Sequence, residues 1–91
     1  MAQLPTDLFP AKFPMAKDQF KALVRAEMVK AIRELVQARL AGDVNKVAFA
    51  QGAFDGIERV ALAVMYSDEV WALRAEANEQ VTRELEQVAR A

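Results

Sequence analysis

Apolar residues along most of this chain recur at three- and four-residue steps, the spacing of one face of an α-helix. Phe20, Val24, Met28, Ala31 and Leu35 form the first such line, and Ile32, Val36 and Leu40 widen it. Lys30, Arg33, Glu34 and Gln37 lie opposite. The pattern predicts a helix over about 15–41. Pro14 suits its first turn, where a missing N–H has no cost. Gly42 ends it, as a residue free to take left-handed φ.

Asp43 then offers a carboxylate to the open backbone N–H groups of a second helix, predicted over 44–65. The connection is only Ala41-Gly42-Asp43, so the two helices are expected to be antiparallel neighbours. The second helix carries Val47, Ala50, Phe54, Ile57, Ala61 and Val64 on its apolar face. A separate line of Ala48, Gly52, Gly56 and Ala63 is made of small residues. A glycine inside a helix costs about 1 kcal/mol against alanine. Two of them one turn apart imply close backbone approach to another helix. That helix is either the first one of the same chain or one from another copy.

Tyr66-Ser67-Asp68-Glu69 predicts a break, with Ser67 as cap and two acids at the positive end of a third helix over 68–90. Tyr66 and Trp71 are placed to close a hydrophobic staple across that cap. No Gly or Pro enforces the break, so one rod from Val44 to about Ala89 is the alternative. Val70, Leu73, Ala77, Val81, Leu85 and Val88 form a narrow stripe. Glu79 with Arg83, and Glu86 with Arg90, are i,i+4 pairs in the favourable orientation. A narrow stripe with charged flanks reads as a helix packed on one neighbour. No segment alternates with period two, so no strand is expected and the fold class is all-α.

The first 14 residues break the pattern. They hold all three prolines, Pro5, Pro10 and Pro14, with Leu4, Leu8, Phe9 and Phe13 between them. Proline biases the chain toward extended geometry. The segment reads as an extended docking arm, ahead of a helical domain over 15–91. The readings open to it are packing on its own domain, docking on a neighbouring copy or a partner, and simple disorder.

Composition narrows the function. The 91 residues are 54% apolar and carry net charge −1. The absence of Cys and His excludes disulfides, thiol nucleophiles, His-based triads and zinc fingers. The longest runs without charge are eight residues, Val47 to Phe54 and Val60 to Ser67, far short of the ~20 of a membrane span. The opening segment lacks an apolar signal core after a basic start, so a soluble, cytoplasmic protein is expected. The hydroxyls and lysines lack the neighbours that would activate them. Gly52-x-x-x-Gly56 lacks the Lys-Ser/Thr of a phosphate loop. The expectation is therefore not an enzyme, with no cofactor and no metal.

Charge is unevenly spread. Residues 1–41 carry seven basic and four acidic groups, and residues 42–91 carry five and nine. The simplest reading is that the two halves lie together with complementary charge. Lys17, Lys21 and Arg25 form a basic ridge beside the apolar face of the first helix. It suits an acidic protein surface better than nucleic acid, because no aromatics interleave for base stacking. Trp71 and Tyr66 read as core or interface anchors.

The stretch LAGDVNKVAFAQGAFDGIERVALAVM, residues 40–65, resembles a pattern in small proteins encoded among the morphogenesis genes of tailed bacteriophages. There a helical hairpin has a short Gly/Asp turn and a second helix carrying Ala-Gln-Gly, here Ala50, Gln51 and Gly52. Neither the proline-rich arm nor the Trp-containing helix belongs to that pattern. The resemblance implies a virion or assembly accessory protein and transfers no catalytic residue.

Three helices this apolar present more greasy surface than one short bundle hides, and small scaffolds without staples often oligomerise. The expected function is a non-enzymatic structural or assembly protein, a homo-oligomer or part of a larger assembly. Its expected interface residues are Leu4, Leu8, Phe9, Phe13, Lys17, Lys21, Arg25, Gly52, Gly56 and Trp71. The alternatives are a regulatory module that inhibits or adapts a host protein, and a weak DNA binder.

Overall fold

A computed structural model of the chain describes residues 17–90. The arm residues Leu4, Leu8, Phe9 and Phe13, and the expected start of the first helix at Met15, lie outside the described residues. Three helices follow in order: α1 (Lys17–Ala41), α2 (Val44–Val64) and α3 (Ser67–Arg90). No strand occurs among the described residues. The all-α hairpin with a third helix is therefore the architecture, and α2 and α3 are two helices rather than one rod.

The first turn follows its sequence. Gly42 takes φ +70°, a conformation that costs L side chains a clash between Cβ and the backbone. The Gly42 and Asp43 amides donate to the Arg39 and Ala38 carbonyls at 3.1 and 3.0 Å. These bonds satisfy acceptors that the end of α1 would leave open. The Asp43 carboxylate accepts from the Lys46 amide at 3.1 Å and so caps α2.

The second corner is set one residue earlier than the sequence reading places it. The Tyr66 carbonyl accepts from the Val70 amide at 3.1 Å, which makes Tyr66 the cap and Ser67 the first helical residue. The Glu69 side chain reaches back to accept from the Tyr66 amide at 3.1 Å, the return half of a capping box. The expected staple shifts with it. Tyr66 is 76% exposed and Trp71 47% exposed, whereas Met65 and Val70 are buried. Met65 and Val70 now occupy the two staple positions around the cap, and both belong to the core.

Helix α1 is the central element, packed against both α2 and α3, while α2 and α3 touch each other much less. Ion pairs fix the direction of α3. Lys17 meets Glu69, Arg25 meets Glu76, and Arg33 meets Glu84. Rising numbers pair with rising numbers, so α3 runs parallel to α1. One core contains Val24, Met28, Val29 and Ile32 of α1, Ala61 and Met65 from α2 and its corner, and Val70, Leu73, Ala77 and Val81 of α3. Phe20, Val36, Phe54, Ile57 and Val64 pack around it half-buried.

The stripes predicted from periodicity are the faces that turn inward, but they are not buried along their whole length. Leu40 is 79% exposed, and Leu85 and Val88 are also exposed. Beyond Val81, α3 contributes nothing to the core. Glu79 and Arg83 pair at 3.3 Å as expected, but no ion pair joins Glu86 to Arg90.

Candidate protein-interaction surface

The ridge of Lys17, Lys21 and Arg25 is engaged within the chain. Lys17 Nζ lies 2.8 Å from Glu69 Oε2, Lys21 Nζ lies 3.9 Å from the same oxygen, and Arg25 Nε lies 4.0 Å from Glu76 Oε1. Further along, Arg33 grips Glu84 with two bonds, Nε to Oε1 at 3.0 Å and Nη2 to Oε2 at 2.8 Å. This fork geometry is the strongest arrangement available to a carboxylate and a cation. The basic first half thus meets the acidic second half in the same molecule.

These contacts set the titration of the clamp. The hydrogen bond from Lys17, and then that from the Tyr66 amide, hold Glu69 below its ordinary value of 4.5. The same bond to Glu69 raises Lys17 above 10.5. Bonds from Arg33 and then Gln80 lower Glu84, and Arg33 is raised by Glu84.

Trp71 lies on the outer flank of α3. The Arg74 guanidinium sits 5.9 Å from its ring centre and 5.6 Å from that of Phe54 on α2. Arg74 also pairs with Glu58 at 3.3 Å. One arginine therefore ties α3 to α2, while Trp71 keeps an open face. A shallow cleft beside this link, about 410 Å³, carries Arg39, Asp55, Glu58 and Arg74 on its walls. Its two acids and two bases give it no net preference for a charged ligand. Among the described residues, no three Asp or Glu converge to hold a metal ion.

The glycines of α2 are placed differently from the intramolecular alternative. A Cβ built on Gly52 or Gly56 meets nothing within 4 Å. Neither glycine therefore serves close approach to α1. Ala48 and Ala63, the rest of the small line, are exposed as well. The reason lies in the helix period. The buried line of Ala50, Phe54, Ile57 and Ala61 occupies the face toward α1, and the small line falls about half a turn away.

Two large apolar side chains share that outer face. Phe49 is 76% exposed and Val60 is 61% exposed. With Gly52, Gly56 and Ala63 they form a stripe without a charged residue along its centre. Periodicity alone would have found it: Phe49, Gly52, Gly56, Val60 and Ala63 also recur at three- and four-residue steps, as a second apolar face. The expected interface residues include Gly52 and Gly56 but not Phe49 and Val60, whose large exposed side chains share the same face. Asp55 and Arg59 border the stripe on one side, and no ion pair among the described residues engages either.

Among the described residues, no helix is long and apolar enough to cross a membrane. No family model, curated protein or solved structure matches this chain.

Proposed function

We propose that this chain is a non-enzymatic structural or assembly protein that binds copies of itself or a larger protein assembly. The observation that carries the reading is the exposed apolar surface. Ten large apolar side chains of the described residues stand in solvent, among them Leu40, Val44, Phe49, Val60 and Val88. Scattered exposed apolar residues are ordinary, but a contiguous patch marks an interaction site. The resemblance of residues 40–65 to tailed-phage morphogenesis proteins points the same way, toward a virion component. The regulatory-module and DNA-binding alternatives rested on Lys17, Lys21 and Arg25. Those side chains face acids of their own chain, which leaves the two alternatives with less support.

Sedimentation equilibrium over a concentration series, with an apolar fluorescent dye at the lowest concentration, tests the reading. Self-association raises the mass above the 10.1 kDa of one chain and displaces the dye. A single-chain mass with strong dye binding fits an interaction with a larger foreign assembly. A single-chain mass without dye binding overturns the reading. Deleting residues 1–14 is expected to preserve helicity and weaken association. Unchanged association would remove the arm from the interface.

A further inference from the structure

Building on the reading of a protein-binding surface, we propose that the outer face of α2 pairs with the same face of a second copy, antiparallel about a two-fold axis near Ile57. Three observations select this occupant. The face is uncharged along its centre, so a strongly charged partner gains nothing there. Its relief is self-complementary. With an axis at Ile57 and a rise of about 1.5 Å per residue, Val60 sits level with the space between Gly52 and Gly56 of the second copy. Phe49 then lies about 3 Å beyond the level of the second copy's Ala63, at the end of its α2. The glycines thus receive a side chain from the neighbour, which gives a reason for two costly residues in one helix.

The third observation is charge. Asp55 lies two residues before Ile57 and Arg59 two residues after it, on one side of the stripe. A two-fold rotation that reverses the helix keeps that side and inverts the height. It brings Asp55 level with Arg59 of the second copy, and Arg59 level with its Asp55. Both pairs are opposite in sign. A parallel pairing would instead carry the second copy's Asp55 and Arg59 to the opposite side of the seam, where neither meets its counterpart, so the antiparallel arrangement is the one the charges favour. A single helix seam is smaller than the ~1,200 Å² at the lower edge of stable interfaces. The association is therefore concentration-dependent.

The full-length chain and three variants test this by sedimentation equilibrium. Gly56→Leu is compatible with the isolated subunit, since its Cβ enters open space and leucine is the better helix former. Its dilute form is expected to melt at or above the wild-type temperature, while its association weakens about tenfold or more through overpacking at the seam. Asp55→Arg and Arg59→Asp each set like charges across the axis, so each alone is expected to associate more weakly than wild type. An equimolar mixture of those two is expected to recover association, because both cross-pairs are then opposite in sign. Two results overturn the proposal. Wild-type self-association that none of these changes alters places the interface elsewhere and leaves the assembly reading intact. A wild-type mass of one chain at every concentration excludes the second copy. In that case a lowered melting temperature of Gly56→Leu would identify residues 1–14 as the cover of this face, and an unchanged or raised one would point to a foreign protein.

Discussion

The two ends of the helical bundle carry similar apolar patterns and bury them differently. At the Met65–Tyr66 corner three helices share one core, and Met28, Ala61, Val70 and Leu73 are each no more than 5% exposed. At the Gly42 turn α1 and α2 meet, and the last turns of α3 add nothing to the core. There the buried residues are two alanines, Ala38 and Ala50, while Leu40 and Val44 are 79% exposed. Small side chains let two helices close on each other without a third, but they hide little apolar area. An apolar stripe marks the side of a helix that can be buried. The number of neighbours decides how much of it is.

Substitutions at the two ends test this contrast. Met28→Ala at the closed end is expected to cost about 2–5 kcal/mol, the range for emptying a fully buried site. Urea unfolding followed by far-UV circular dichroism measures it. A cost near that of an exposed site would mean that the three-helix end is not the stable one. Asp43→Ala removes the cap of α2 at the open end and is expected to cost about 1 kcal/mol. The loss is read in the same titration.

Acid acts on the polar seam between α1 and α3. Glu69 and Glu84 titrate below 4.5 in the fold, so their stabilising contribution is present above that value and fades as pH falls through the lowered ones. Lys17 titrates above 10.5, so its contribution is present below 10.5 and fades as pH rises through the raised value. Stability should therefore be level between these limits as far as these groups decide it. The melting temperature is expected to fall on the acid side, and less steeply in Glu69→Gln combined with Glu84→Gln. An acid limb of equal slope in that variant would show that other carboxylates carry the dependence. Leu40→Ala and Val88→Ala, at exposed sites, are expected to lie within about 0.5 kcal/mol of wild type in the dilute subunit. A larger loss at either site would show that the open end is covered.

Much of this architecture is legible in the chain. Gly42 and Asp43 specify a turn through local chemistry, and the inward faces of all three helices follow from periodicity. The corner at Tyr66 was harder because Ser67 and Glu69 offer competing frames. A serine cap one residue later lacks the return bond, and the Glu69 carboxylate decides for Tyr66 because it also gains Lys17. The partners of the basic ridge were beyond local reasoning. Lys17 and Glu69 are 52 positions apart, and their meeting depends on α3 running parallel to α1 in one register. Gly52 and Gly56 stand out in the sequence as glycines inside a helix, but helix spacing cannot say whether the space beside them is occupied by the same chain.

Glu69 holds two positions at once. One oxygen starts α3 through the Tyr66 amide, and the other anchors Lys17, the first described residue of α1. A pull applied through the segment preceding Lys17 is therefore delivered straight into the hinge between α2 and α3. Were an assembly to draw on that leader, the load would reach the best-packed part of the molecule first and leave the loosely covered Gly42 end unstrained.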